Sequence, residues 1–297
     1  MDVETLTPRE TLRDSKRREV LLVVDPRGER FVLKRYRDRR GAAQERAFLR
    51  SARTRPFRHL RVPRLVQEGD DFVVVEYVDR EHATDRAGLA RVWSPSDVRL
   101  WIDALLEFQG TWLPPHLFSR RQRFLGALYP VWRTAHLWMR FRSRLPKRLG
   151  ALLPRILGAY VRVRPRFEGV QTHYDLDGSN YAFCRASRAM SMLDFELPYY
   201  RGDPLFDVIY QLTLCARPYE DWTVQSVLLS EYVRRAARHG HRMVGLVPRI
   251  RLIALQCTLG CLCYHHAAAD LRVHARNLEL LLDARRFRRW LAGALRR

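Results

Sequence analysis

Residues 172–183 read THYDLDGSNYAF, with Asp175 two residues after His173 and Asn180 five residues after Asp175. Acceptor side chains gathered on a short turn suit a metal–phosphate site, because a hard cation wants oxygen ligands and a proton needs somewhere to go. The competing reading is local charge balance in a basic chain. Two further polar groups weigh against it. Leu193-Asp194-Phe195-Glu196 follows, with Asp194 fourteen residues after Asn180, and then comes Gly202-Asp203-Pro204-Leu205-Phe206-Asp207.

Such side chains need rigid elements to hold them. The runs EVLLVV (19–24) and RFVLKRY (30–36), separated by Asp25-Pro26-Arg27-Gly28, predict an antiparallel hairpin. A helical stretch follows over 41–52, and VPRLVQEGDDFVVVEYV (62–78) predicts two more strands around a Glu68-Gly69-Asp70 turn. Lys34 closes the apolar run Phe31-Val32-Leu33, and Glu45 lies on the helix just after it. Taken alone, that pair reads as an ordinary surface ion pair. From about Ser94 the pattern becomes helical, apart from strand-like patches around Tyr181–Phe183 and Met190–Leu193. The expected class is α+β, with a small mixed lobe over residues 1–78 and a larger, mainly helical one over 79–297.

With 297 residues, 47% of them apolar, the chain is long enough for one large domain or two lobes and excludes wholesale disorder. It carries 54 Lys and Arg against 32 Asp and Glu, a formal charge of +22, which favours anionic partners. Nearly all of the excess is Arg, so genome composition is the bland alternative. The charge is uneven: Phe108 to Phe167 holds thirteen basic residues and no acidic one. The start, MDVETLTPRE, lacks the apolar core of a secretory signal, and the five cysteines suit reduced thiols, so a cytoplasmic location is expected. Cys257 and Cys261 share a helical face with Cys263 pointing elsewhere, a pattern of a packed helix rather than a metal site. The apolar stretch from Leu252 contains Gln256, His265 and His266 and reads as a buried helix.

Taken together, these motifs resemble the aminoglycoside phosphotransferase and choline kinase group, within the two-lobed protein-kinase-like fold. His173, Asp175 and Asn180 match the group's catalytic loop (172–183), Asp194-Phe195 its metal motif (193–196), and Gly202-Asp203-Pro204 with Asp207 its downstream signature. Lys34 and Glu45 match the strand lysine and its helix partner, and Glu76-Tyr77-Val78 the hinge bordering adenine. The resemblance covers about residues 10–215. It implies an ATP- and Mg²⁺-dependent transfer of phosphate to an alcohol. Asp175 is then the proton acceptor, and Asn180 and Asp194 the metal ligands. Lys34, Glu45, Glu76 and Val78 border the nucleotide, while His173, Asp203 and Asp207 support the loop.

The chain departs from the group in its phosphate loop. Asp14-Ser15-Lys16-Arg17-Arg18 contains no glycine, so close approach to phosphates is harder, with the backbone amides still able to reach them and Lys16 or Arg17 able to compensate. The group often has Gly where Tyr174 stands. A catalytically weak relative, or a nucleic-acid- or membrane-binding protein on the same scaffold, is the alternative function. Between hinge and catalytic loop, a basic helical segment spans about 94–167. Within it, residues 117–149 mix Arg with Trp132, Trp138, Phe124, Tyr129 and Phe141. This segment reads either as a face for an anionic membrane or phosphorylated glycolipid, or as an insertion with a solvated Arg face. FVLKRYR is also similar to lipopolysaccharide-core kinases. The expected acceptor is therefore an anionic small molecule or glycolipid, with peripheral contact at the inner membrane surface through 117–149. A nucleic-acid partner is not expected, since no reading motif accompanies the arginines.

Overall fold

The structure, a computed structural model, describes residues 3–78, 94–176, 178, 180–184, 187–195, 200–214, 218–220, 224–264 and 268–296. Strands β1 (Thr7–Asp14), β2 (Arg18–Val24), β3 (Arg30–Tyr36), β5 (Leu65–Glu68) and β6 (Phe72–Glu76) form one antiparallel sheet in the order β1-β2-β3-β6-β5. The hairpin and the two later strands expected from alternation are all present. Strand β1 is additional: every residue in it is exposed, so no apolar alternation marks it. It forms because the edge of β2 offers unpaired backbone groups.

Register decides which side chains reach which face. Val20 pairs with Lys34 and Lys34 with Val73, while Val32 pairs with Val75, so these five share one face. Leu21, Val23, Phe31, Leu33 and Val74 take the other face and pack with Leu6 into a small core of their own. Each such burial contributes about 1.5–3 kcal/mol, and slipping one strand by a single residue would exchange the two faces. The hairpin turn pins the register. Asp25 Oδ1 accepts from the backbone N–H of Arg27 (2.9 Å) and Glu29 (2.8 Å), and Gly28 takes φ 82°, a value that glycine adopts without strain.

Helix α1 (Arg39–Arg53) follows at once, N-capped by Asp38, whose side chain accepts from Arg40 N. Its buried face carries Ala42, Glu45, Phe48, Leu49 and Ala52. A second sheet, β4 (Leu60–Arg61), β8 (Ala189–Met192) and β7 (Tyr181–Cys184), joins this part of the chain to a later hairpin, with β4 parallel to β8. The remainder is helical: α2 (Pro95–Gln109), α3 (Arg120–Leu125), α4 (Tyr129–Phe141), α5 (Lys147–Val163), α6 (Phe206–Leu214), α7 (Val224–Arg238), α8 (Leu246–Tyr264), α9 (Ala268–Leu282) and α10 (Ala284–Leu295). A small antiparallel sheet followed by a mainly helical body is the two-lobed arrangement expected.

Among the described residues one helix, α8, is long and apolar enough to cross a membrane. Here it is a core element: Ile250, Leu252, Ile253, Leu255 and Leu259 have no exposed surface. Its Cys257 and Cys261 are buried thiols, and among the described residues no group of His, Cys, Asp and Glu converges as metal ligands would. His265 and His266 lie outside the described residues.

Candidate active site

The cavity face of the first sheet meets the β7–β8 hairpin around a space of about 450 Å³. Val20, Val32, Val75 and Leu193 line it with apolar surface, and Lys34, Asn180 and Asp194 contribute polar groups. Glu76, Tyr77 and Val78 form one border. Glu76 is turned toward Arg61 at 3.0 Å, and the Tyr77 ring lies under Arg30.

Lys34 reaches the cavity because β3 parity puts it beside Val32. Its Nζ lies 2.5 Å from Oε1 of Glu45, and the two side chains are 10% and 1% exposed. What the sequence alone would read as a surface pair is therefore a buried one, dear to break because either charge left alone would be stranded in low dielectric. Glu45 Oε2 is buried with no hydrogen-bond partner among the described residues.

The hairpin explains how Asn180 and Asp194, fourteen residues apart, come together. Asn180 precedes β7 and Asp194 follows β8, and the ends are tied by Leu193 N donating to Asn180 O at 2.8 Å. Asn180 Nδ2 donates to the carbonyl of Asp175 at 2.6 Å, which leaves the amide oxygen as the atom able to face a cation. Asp194 sits at φ 67°, a left-handed conformation uncommon for residues other than glycine, among which Asp is one of the more tolerant. Burial opposes its ionisation, but Lys34 and Arg18 outweigh that and hold its carboxyl well below the usual carboxylate range.

The loop itself is held from behind. Asp207, at the start of α6, accepts from the backbone N–H of His173 (3.0 Å) and Tyr174 (2.9 Å). Burial pushes the Asp207 carboxyl up, against the opposing effects of His173 and these two amides. The His173 ring hydrogen-bonds through Nε2 with the carbonyl of Leu193 at 2.8 Å, between the rings of Phe108 and Phe195. Tyr174 takes φ 62°, which accounts for glycine being acceptable at this point. Here an aromatic occupies it, packed 4.4 Å from the Phe206 ring and 4.9 Å from the Tyr129 ring. Among the described residues of the loop Asp175 is the exposed one, and Tyr210 Oη donates to its Oδ1 at 3.2 Å.

Gly202 is required by close packing: a Cβ there would stand 2.1 Å from Thr172 Oγ1 and 2.4 Å from Tyr174 Oη. Asp203 lies apart from the cavity, fully buried and paired with Arg249. The sequence-selected residues thus fall into three places. Lys34, Glu45, Glu76, Val78, Asn180 and Asp194 line the cavity. Asp175 is not among the lining residues and is tied to them through its carbonyl, which accepts from Asn180. His173 within the loop and Asp207 behind it hold the loop, with Asp203 buried apart from the cavity.

Sequence reasoning missed three residues: Arg18, Arg249 and Tyr210. Lys16 and Arg17 are exposed, whereas Arg18 lines the cavity and pairs with Asp194 through both of its Nη nitrogens. The strand's period-two alternation was the signal available, because it puts Arg18 in phase with Val20.

Asn180 and Asp194 offer hard oxygens on one cavity. A Mg²⁺ that keeps water and phosphate oxygens as its other ligands needs only one or two from the protein, so this donor set fits it. The apolar walls fit a flat heterocycle, and Lys34 fits a phosphate.

The sequence model of the phosphotransferase enzyme family matches residues 11–246. No curated protein sequence matches the chain significantly. Among solved structures, an aminoglycoside phosphotransferase, APH(2")-IIa, in a ternary complex with streptomycin and ATP is similar with TM-score 0.60 at 15% identity, over 96% of this chain and 94% of that one. An aminoglycoside phosphotransferase from Alicyclobacillus acidocaldarius is similar with TM-score 0.59 at 14% identity, over 99% and 94% of the two chains. An ethanolamine kinase from Plasmodium vivax gives TM-score 0.56 at 14% identity, over 94% and 83%. At such identities the likeness is one of fold.

Proposed function

The chain belongs to the phosphotransferase enzyme family, and from that premise we propose that it transfers the terminal phosphoryl group of ATP, with Mg²⁺, to a hydroxyl of a small acceptor. The observation that carries this reading is the convergence of the Lys34–Glu45 pair, Asn180 and Asp194 on one cavity, with Asp175, exposed, bound to Asn180 through its carbonyl. ATP would bring the phosphoryl group, and Mg²⁺ would neutralise charge on it.

The chain's own residues then have defined tasks. Lys34 places a positive charge against phosphate oxygens, and Glu45 keeps its ammonium from wandering. Asn180 and Asp194 hold the metal. Asp175 accepts the hydroxyl proton as the acceptor oxygen bonds to phosphorus and the nucleotide leaves as ADP. Tyr210 orients that carboxylate through its hydrogen bond.

We further propose an anionic acceptor, a phosphorylated sugar or glycolipid. An aromatic run supports this. Tyr210 stacks with Phe206, Phe206 meets Tyr129, Tyr129 meets Trp132, and Arg121 lies 4.8 Å over the Trp132 ring. It starts at the hydrogen-bond partner of Asp175 and ends in the acid-free stretch. The same segment, 117–149, exposes Phe124, Met139, Arg140, Arg142 and Arg144, and is the face proposed for peripheral contact with the inner surface of an anionic membrane. Arg148, in the same segment, is paired with Glu279, so its charge is partly offset. The test is labelled phosphate transfer from ATP with Mg²⁺ to a panel of phosphorylated sugars, glycolipid cores and aminoglycosides. Transfer to the anionic members, abolished in Asp175→Asn, supports the reading. Transfer to aminoglycosides alone rejects the anionic acceptor, and transfer to none rejects the activity.

A further inference from the structure

We propose that Arg18 is a second phosphate-binding side chain beside Lys34, and that with no nucleotide bound it occupies Asp194 as a resident cation. The inference rests on the reading of the cavity as a nucleotide site.

The turn between β1 and β2 is closed on itself. Ser15 N donates to Arg18 O at 3.0 Å, and Ser15 Oγ accepts from Arg17 N (3.3 Å) and Arg18 N (3.2 Å). With those amides committed and no glycine present, the backbone is poorly placed to cradle phosphates. A side chain is there instead. Arg18 is 4% exposed, and its guanidinium meets both carboxylate oxygens of Asp194 in a fork. Arg13 Nη1 also comes within 4.0 Å of Asp194, from a side chain that is half exposed.

Charge then sets up an exchange. Glu45 answers Lys34, and Asp194 answers Arg18. A divalent cation that takes the oxygens of Asp194 must displace Arg18 from its two-oxygen fork, and losing that fork is costly for a guanidinium that is 4% exposed. A metal that arrives with nucleotide brings the remedy, because phosphate oxygens accept the same planar fork. Metal alone is therefore disfavoured, and metal with nucleotide is favoured. The glycine-free turn and the buried arginine become two halves of one device.

The test is titration of the full chain with Mn²⁺, followed by electron paramagnetic resonance, with and without ADP. Arg18→Gln should bind Mn²⁺ alone about tenfold more tightly than the parent, and bind ADP in the presence of Mn²⁺ about tenfold more weakly. The two shifts have opposite signs, whereas a merely structural loss would weaken both. Arg18→Lys keeps a charge but cannot hold both oxygens, and should shift both affinities in the same directions by less. It carries the test if Arg18→Gln does not fold. Unchanged or weaker binding of Mn²⁺ alone in whichever variant folds overturns the exchange, and unchanged binding of ADP overturns the phosphate contact. If the parent binds no ADP with Mn²⁺, the nucleotide reading of the cavity falls and the inference with it. If the parent binds ADP and the variants match it, only the role of Arg18 falls.

Discussion

Arg249 and Asp203 face each other in the core with no exposed surface on either side chain, Nη2 to Oδ1 at 2.7 Å and Nε to Oδ2 at 3.1 Å. The pair fastens helix α8 to the Gly202-Asp203-Pro204 turn. Leu205 N donates to the same carboxylate at 2.9 Å, and Tyr160 Oη lies 3.0 Å from it. Removing one partner strands the other. Arg249→Met should therefore destabilise the fold by about 3–5 kcal/mol in urea unfolding. A loss below about 1 kcal/mol would mean that Asp203 regains water or a proton at little cost.

Asp175→Asn separates proton transfer from nucleotide binding. The loop is held by Asp207 and His173, not by the Asp175 carboxylate, so ATP binding should persist while kcat falls by about two orders of magnitude or more. Calorimetric titration with ATP and steady-state turnover read the two quantities, and undiminished turnover removes Asp175 from the proton-acceptor role.

The buried thiols of α8 give a pH dependence. Burial pushes Cys257 well above the usual thiol range and Cys261 up to about 12. In the unfolded chain both ionise near pH ~8.5, so the unfolded state releases protons first as pH rises. Stability from these groups is complete below that value and falls as pH climbs toward the folded values. Unfolding free energies at pH 8, 9 and 10 should decline, and Cys257→Ala with Cys261→Ala should flatten the decline. An equally steep decline in the double variant would assign it to other groups.

The acid-free segment is tested by sedimentation with vesicles. Arg140, Arg142 and Arg144 are exposed, and each basic residue near an anionic bilayer contributes about 1 kcal/mol. Replacing the three by Gln should lower binding to anionic vesicles about a hundredfold at low salt, and moderate salt should weaken the parent. A parent that ignores anionic vesicles, or a variant that equals it, excludes the membrane contact and leaves a soluble acceptor.

Most of the candidate site was legible because its residues stand in short local strings. His173, Asp175 and Asn180 occupy a single turn, Asp194 follows one hairpin later, and the strands carrying Lys34 announce themselves by alternation. Strand β1 was silent in that respect, since an exposed edge strand needs only backbone partners, and the two-residue β4 is too short to show a period.

The sequence by itself determined the residue types available for phosphate and metal, the α+β order of elements, and the parity that sends Lys34 and Arg18 to one face of β2 and β3. Only the tertiary structure decided the partners. Arg18 meets Asp194 across 176 positions and Arg249 meets Asp203 across 46, so no local spacing couples them. Those pairs exist because folding carries charges out of water together, and which charges arrive together depends on sheet register and helix packing over the whole chain.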